Sequence, residues 1–204
     1  MIIGIELDDI VFDRIGAVRK YVAAKSGMLP WGGDEALSSE NPEEWNWGRT
    51  PFSGFQEALA AAEPTHMFYA GMKPVEGAVE ALRTLRAAGV KFYILTTRDP
   101  RWEHASRMAL QTARIRVSAY ASDHRKYRYS KQAGGLVDAF IEREPGAVKA
   151  LYEKKARVIA LDSQAPNAYV KTADWSRVPG IIKKVPEIAP VVEGSWLDSI
   201  VSSK

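Results

Sequence analysis

The chain has 204 residues, 46% of them hydrophobic and 26% charged, which is enough for one sizeable core with a small appended unit. It contains no cysteine, so a disulfide framework, a thiolate zinc site and a cysteine nucleophile are excluded. The net charge of +3 is small and gives only weak evidence for a nucleic-acid binder.

The sequence gives no indication of a membrane or export segment. No stretch approaches the roughly 18 uninterrupted apolar residues of a membrane span, and the N-terminus lacks the basic and apolar regions of a signal peptide. The lack of cysteine also suits a reducing compartment. We therefore expect a cytoplasmic protein without a membrane partner, and no feature of the sequence indicates its oligomeric state.

The first predicted strand ends in a group of acidic residues. The apolar run 2–7 is rich in β-branched residues and predicts a buried strand. Glu6, Asp8 and Asp9 lie where this strand should emerge, and so many like charges repel one another unless a cation or hydrogen-bond donors lie among them. The two interpretations are a functional site and a strand end that turns into solvent.

A segment without regular periodicity follows the first predicted helix, which covers residues 13–26. Residues 28–71 are rich in proline and glycine and include three tryptophans, Trp31, Trp45 and Trp47. Linkers are depleted in aromatic residues, so these side chains must be buried against the core or over a ligand. We therefore predict an insertion that a short helix closes at about residues 53–62.

From residue 74 onward, predicted helices and strands alternate. The apolar patterns predict helices at about 74–88, 99–113 and 146–154 and strands at 91–96, 115–120, 137–141 and 157–161. This alternation indicates an α/β fold with a doubly wound parallel sheet that is covered on both faces.

Polar residues directly follow the predicted strands. They are Glu6 and Asp8, then Thr96, Thr97 and Arg98, then Glu142, Arg143 and Glu144, and finally Asp162. The carboxyl ends of the strands share one edge of a doubly wound sheet, and ligands bind at that edge. Loops are polar in any case, but chance accounts poorly for a cluster so rich in acids, hydroxyls and guanidinium groups. We therefore predict a ligand site there.

A basic segment, residues 124–131, interleaves cations with aromatic residues. This pattern is typical of a loop that binds phosphate or single-stranded nucleic acid. The alternative is a solvated basic turn between two elements.

In their order and spacing, these motifs resemble those of the haloacid dehalogenase (HAD) superfamily, more narrowly the small cytosolic 5'-nucleotidases and deoxyribonucleotidases. The first motif of that family is Asp-x-Asp after a strand, and the matching positions here are Glu6 and Asp8. The second is a threonine or serine that ends a strand, and Thr96 matches it within Thr96-Thr97-Arg98.

The third family motif is a lysine upstream of the fourth strand, for which Lys131 has suitable spacing. The fourth is a strand that ends in two aspartates, where this chain has Glu142 and Arg143. The insertion 28–71 falls where the family carries a helical cap. The resemblance thus implies a core domain of residues 1–27 and 72–204 beneath a cap.

The resemblance also implies roles for individual residues. Glu6 would be the nucleophile and Asp8 the general acid/base, while Glu6, Asp8 and Glu142 would bind Mg²⁺. The phosphate-binding residues would be Thr96, Thr97, Arg98 and Lys131. The implied substrate is a small phosphate ester or a nucleotide. Trp45, Trp47 and Phe52 of the cap would then stack on a base, unless they fill the core instead.

Two departures from the family pattern affect the chemistry. Glu6 is one methylene longer than aspartate, and a misplacement of ~1 Å can cost ~10²-fold in rate. Arg143 puts a fixed positive charge near the expected Mg²⁺ site, and Arg98 and Arg143 are able to pair with Glu6 and Asp8. Two hypotheses follow: a catalytically weakened phosphatase, and an inactive protein that binds a nucleotide or a protein partner. A nucleic-acid binder that uses residues 124–131 is the third and weakest hypothesis.

Overall fold

A six-stranded parallel sheet forms the centre of the protein. The computed structural model describes residues 1–28, 35–39, 41–65, 67–161, 168, 170–172 and 174–185. The strands are β1 (Ile2–Ile5), β2 (Lys91–Thr96), β3 (Ala119–Ser122), β4 (Ala139–Glu142), β5 (Val158–Leu161) and β6 (Val170–Thr172). They pair in the order β3-β2-β1-β4-β5-β6, with every neighbouring pair parallel. The predicted α/β fold with a doubly wound parallel sheet is confirmed.

Six α-helices accompany the strands in the described part of the chain. They are α1 (Arg14–Lys25), α2 (Phe55–Ala62), α3 (Ala78–Ala87), α4 (Glu103–Thr112), α5 (Pro145–Glu153) and α6 (Val178–Lys184). The Asp13 side chain caps α1 by accepting a hydrogen bond from Gly16 N, and the Glu144 side chain caps α5 in the same way. None of these helices is both long and apolar enough to cross a bilayer.

Both faces of the sheet are buried, as is usual for parallel sheets. One face packs Ile3, Ile5 and Ile94 with α1, α3 and α4, whereas the other packs Leu95 and Phe140 with α5. Gly4 of β1 lies so close to this second face that a Cβ atom there would come within 2.9 Å of the Leu95 and Phe140 side chains. A larger residue at Gly4 would therefore push the central strand away from its neighbours.

The third strand begins later than the sequence pattern predicts. Residues 115–118 do not belong to it, because α4 ends in a left-handed turn at Arg114, where φ is +56°. Ile115 N then bonds back to Leu110 O, and the chain reaches β2 only when Ser118 N bonds to Phe92 O. The short strand β6 was not predicted, because its three residues show no clear alternation.

The insertion packs on α1. Its described residues contain three short 3-10 turns and α2, and Trp45, which is buried, contacts Trp47 with the ring centroids 5.3 Å apart. The guanidinium of Arg19 in α1 lies 5.5 Å from the centroid of the Trp45 ring. Trp31 lies outside the described residues, and the division of the chain into a core and a cap stays a prediction.

Candidate functional site

The carboxyl ends of three neighbouring strands bring acidic and hydroxyl side chains together. Ile5 of β1 pairs with Ile94 of β2 and with Ile141 of β4, so the residues that follow these strands emerge side by side. A pocket of about 350 Å³ opens at this edge. Its lining residues are Glu6, Asp8, Asp9, Arg14, Thr97, Lys126, Glu142, Arg143, Glu144, Pro145 and Ala147.

The carboxylate of Glu6 is the most heavily bonded group in the pocket. Its Oε1 accepts hydrogen bonds from Leu7 N at 2.7 Å and from Thr96 Oγ1 at 2.5 Å. Its Oε2 accepts hydrogen bonds from Thr97 N at 3.1 Å and from Lys126 Nζ at 2.6 Å. Both oxygens of this buried side chain are therefore occupied by donors of the chain itself.

Lys126 lies between two buried carboxylates. Its Nζ is 2.6 Å from Glu6 Oε2 and 2.5 Å from Glu142 Oε2, and its side chain is only 6% exposed. The other carboxylate oxygen of Glu142 accepts hydrogen bonds from Arg143 N and Glu144 N. One ammonium thus links the ends of β1 and β4.

Lys131, the lysine that the family spacing selects, does not reach the pocket. Its Nζ is bonded to Asp138 at 2.5 Å, and its side chain is 59% exposed. Asp138 precedes β4 and also accepts a hydrogen bond from Ile2 N, so Lys131 lies at the amino end of the sheet. The expectation that Lys131 enters the site is therefore wrong, and the lysine upstream of β4 that enters it is Lys126.

One weak signal in the sequence points to Lys126, namely its place in the basic segment 124–131. Sequence spacing does not distinguish Lys126 from the other cations of the segment. What distinguishes it is its burial, which depends on the tertiary fold. The other cations of the segment are paired near the surface: Arg125 and Arg128 with Asp123, and Lys131 with Asp138. This pairing leaves the segment less suited to a nucleic-acid backbone.

Burial and charge pairing act in opposite directions on the site acids. Burial by itself would raise the pKa of Glu6, but the charge and hydrogen bond of Lys126, with further hydrogen bonds from Thr96 and Leu7, lower it below 4.5. Burial raises the pKa of Glu142, because it outweighs the attraction of Lys126. Although burial opposes it, the two carboxylates raise the pKa of Lys126, so the ammonium stays charged.

Glu6→Gln and Glu142→Gln should therefore change stability with opposite pH dependence. The lowered pKa of Glu6 contributes stability that is present above pH 4.5 and is lost as the pH falls through the folded-state pKa. The raised pKa of Glu142 contributes stability that is present below pH 4.5 and is lost as the pH rises through its folded-state pKa. Relative to wild type, Glu6→Gln should thus be most destabilised near neutral pH, and Glu142→Gln in acid.

Urea unfolding of wild type and both variants between pH 3.5 and pH 7.5 would measure this difference. If the free energy of unfolding changed with pH in the same way in both variants, the inference that Lys126 stabilises the charged form of Glu6 more than that of Glu142 would be wrong.

Asp8 is bound to a buried arginine. Arg98 donates two hydrogen bonds to Asp8 Oδ1, from Nη2 at 2.6 Å and from Nε at 2.9 Å, and its side chain is fully buried. Arg98 Nη1 also donates to Ser106 Oγ, and the guanidinium lies 4.3 Å from the centroid of the Tyr69 ring. Arg98 therefore lies behind Asp8 and does not line the pocket. Arg98 was expected to bind phosphate or to pair with an acid of the site, and in the structure it pairs with Asp8.

Arg14 is a site residue that was not predicted from the sequence. Its guanidinium lies 3.1 Å from Asp9 Oδ2 and 3.6 Å from Asp8 Oδ2, and it lines the pocket. Asp9 is in the left-handed region with φ +56°, and its Oδ1 accepts a hydrogen bond from Ile15 N. Arg143 also lines the pocket and donates to Asp9 O. No periodic pattern marks Arg14, because the turn at residues 7–12 positions it.

The donor set does not fit Mg²⁺ as it is arranged. Magnesium requires carboxylate and water oxygens in a tight octahedron. The three residues expected as ligands are instead bonded to cations of the chain, Glu6 and Glu142 to Lys126 and Asp8 to Arg98. Within the described residues, no group of three or more histidine or acidic side chains is arranged to hold a metal ion.

Three aromatic residues expected to stack on a base lie away from this pocket. Trp45 Nε1 donates to Ser39 O, Trp47 Nε1 donates to Pro42 O, and Phe52 packs against Tyr21 of α1. None of the three lines the pocket as far as the described residues define it. They pack in or against the main hydrophobic core, and core filling is the alternative that the sequence left open. Asp162, also expected at this edge, lies outside the described residues.

Comparison with known proteins gives a match in structure only. No protein-family model matches the chain, and no curated protein sequence matches it. Among solved structures, a HAD family hydrolase from Deinococcus radiodurans R1, which has bound phosphate and sodium, aligns with a TM-score of 0.56. The sequences are 20% identical over 93% of this chain and 97% of that one.

Two further structures show the same architecture. L-2-haloacid dehalogenase from Xanthobacter autotrophicus has a TM-score of 0.57 and 16% identity, covering 89% of this chain and 98% of that one. A predicted phosphoglycolate phosphatase from Haemophilus somnus 129PT has a TM-score of 0.55 and 12% identity, covering 89% and 97%. With its parallel sheet flanked by helices, the chain has the α/β fold of the HAD-superfamily hydrolases.

Proposed function

We propose that this chain is a HAD-like phosphatase of the nucleotidase type whose catalysis is weakened at Glu6. One observation carries the proposal: three donors that suit a phosphoryl group, Thr96 Oγ1, Thr97 N and Lys126 Nζ, all bind the Glu6 carboxylate. The long side chain of Glu6 thus takes up hydrogen bonds that a bound phosphate would need.

The same contacts oppose the chemical step. A carboxylate nucleophile attacks phosphorus in line, and the leaving oxygen then needs a proton. Glu6 would have to give up part of its hydrogen bonding to attack. Asp8, the residue proposed to protonate the leaving oxygen, is bonded twice to Arg98 and lies beside Arg14. Slow turnover is the expected result.

The proposed substrate is a small phosphate ester. A pocket of about 350 Å³ lies at the lower end of the ~300–1,000 Å³ range of small-molecule sites. The phosphate-bound hydrolase and the phosphatase among the structural neighbours support a phosphate ligand. The nucleotidase assignment depends on the order of the sequence motifs, and the aromatic residues of the insertion add no support to it. Mg²⁺ is implied by the resemblance, so activity should be assayed with and without it.

A second candidate function is an inactive protein that keeps the fold in order to bind a ligand or protein. The observation in its favour is the pairing of Asp8 with the fully buried Arg98. Two hydrogen bonds from Arg98 occupy Asp8 Oδ1, so this oxygen is not available for proton transfer.

We expect wild-type protein to hydrolyse p-nitrophenyl phosphate and nucleoside monophosphates only slightly faster than the uncatalysed background. The reason is the engagement of Glu6 by Thr96, Thr97 and Lys126. A colorimetric phosphate-release assay with and without Mg²⁺ measures this rate, and Glu6→Gln serves as the control for contaminating phosphatase.

Residual turnover that disappears in Glu6→Gln would support the weakened phosphatase. Turnover equal in both proteins would favour the inactive candidate. Robust turnover by wild type that depends on Glu6 would show that catalysis is not weakened.

A further inference from the structure

A second pocket, of about 400 Å³, lies at the opposite edge of the sheet from Glu6. It forms where α4 ends and the chain turns toward β3, and it shares no lining residue with the first pocket. Its lining residues are Arg107, Leu110, Gln111, Arg114, Ile115, Arg116 and Val117. Three of the seven lining residues are therefore arginines.

Positive charge at this pocket exceeds negative charge. Arg107 is bonded to Glu103 at 2.7 Å, but Arg114 and Arg116 have no acidic partner within the part of the chain that the structure describes. From α3, Arg86 Nη1 donates to Arg116 O at 3.2 Å, so a further guanidinium contacts the segment that lines the pocket. All three arginines of the pocket are exposed, and a bound anion would relieve the repulsion among their like charges.

The backbone at Arg114 adds a second observation. Its φ of +56° lies in the left-handed region, which glycine adopts without a steric penalty. The same chain does place glycine at this position after α1 and α3, where Gly27 and Gly89 have φ of +67° and +84°. An arginine that lines the pocket therefore occupies a backbone position that favours glycine.

A cation at the end of a helix also interacts favourably with the helix dipole. Lys155, with φ +59° after α5, is in the same situation away from this pocket. This effect accounts for one cation at a helix end, but not for Arg107 and Arg116 at the same cavity.

We propose that Arg107, Arg114 and Arg116 form a binding site for a small anion that carries two or more phosphate-type charges. Guanidinium groups match the geometry of phosphate oxygens through paired hydrogen bonds. A cavity of about 400 Å³ suits a small ligand such as a diphosphate-bearing molecule. The three arginines line one cavity, which favours a small anion over a nucleic-acid backbone. The site is independent of the function proposed for the Glu6 pocket.

Calorimetric titration with inorganic pyrophosphate and tripolyphosphate tests the proposal. Hydrogen bonds to charged groups contribute strongly to binding affinity. The double change Arg114→Gly with Arg116→Gln should therefore raise the dissociation constant about tenfold or more. Lys155→Gly is the control matched to the single change Arg114→Gly, because each removes one positive charge at the same backbone geometry, and the affinity of Lys155→Gly should equal that of wild type. Arg114→Gly relieves the left-handed strain, so the fold should persist, and the single change Arg116→Gln repeats the test at an exposed position.

Equal affinity in wild type and the arginine variants would overturn the proposal, because binding would then occur elsewhere. An equal loss in Lys155→Gly would also overturn it, because the effect would be one of overall charge. Tight binding of a single-stranded oligonucleotide together with no binding of pyrophosphate would overturn it in favour of a nucleic-acid surface.

Discussion

Lys126→Met should destabilise the protein by about 3–5 kcal/mol at neutral pH, the usual cost of removing one partner from a buried ion pair. The change keeps most of the side-chain volume but leaves the carboxylates of Glu6 and Glu142, both at most 6% exposed, without their shared ammonium. For a chain of this size we expect a fall in melting temperature of roughly 6–20 °C. The loss should be smaller below pH 4.5, where protonation relieves the repulsion between the two acids.

Lys131→Met is the matched control, since it removes the same charge from the lysine that sequence spacing selects. The Lys131 side chain is 59% exposed, and Asp138 keeps its hydrogen bond from Ile2 N, so the melting temperature should change little. Scanning calorimetry of both variants with wild type gives the comparison. Similar losses in the two variants would mean that the ammonium of Lys126 does not hold the carboxylates together.

Glu6→Asp should increase both phosphate binding and hydrolysis. Its carboxylate would be drawn back by about one carbon–carbon bond, ~1.5 Å. It would then no longer reach Thr96, Thr97 and Lys126 together, which frees these donors for phosphate oxygens. Because a misplacement of ~1 Å can change rates by ~10²-fold, we expect a rise in turnover of about that size. Steady-state hydrolysis of p-nitrophenyl phosphate measures it.

Combining Glu6→Asp with Arg143→Asp should give a larger gain than either single change. The second substitution replaces a positive charge that lines the pocket by the acid that the family motif has there. Groups that act as a unit have non-additive effects, so Arg143→Asp alone should do little. Glu6→Asp with Arg143→Gln is the control, because it removes the charge without adding a carboxylate. No gain in any of these variants would exclude Glu6 and Arg143 as the cause of slow turnover.

The fold and the edge that carries the site could be predicted from local patterns. The alternation of apolar strands with amphipathic helices requires a sheet with two covered faces. The polar residues after β1, β2 and β4 then share one edge because the strands are parallel, and the structure does bring Glu6, Thr96 and Glu142 together there. These inferences use periodicity and strand direction, which are properties of short segments.

Which side chains bind one another could not be predicted in this way. Lys126 and Lys131 are five positions apart in one basic segment, and only the path of the chain through the 3-10 turn at Lys126–Tyr129 makes one buried and the other exposed. Arg14 reaches Asp8 and Asp9 because the turn at residues 7–12 folds back on itself through the bonds of Val11 N and Phe12 N to Leu7 O. Neither arrangement leaves a periodic signal.

The sequence by itself determined the α/β class, the parallel direction of the strands and the concentration of acids at their carboxyl ends, because strand and helix periodicity are local. Only the tertiary structure decided how those charges are neutralised: Lys126 between Glu6 and Glu142, and Arg98 on Asp8. The physical reason is that a buried charge is stable only beside an opposite charge or hydrogen-bond donors, and the partner comes from wherever the fold brings one within about 3 Å.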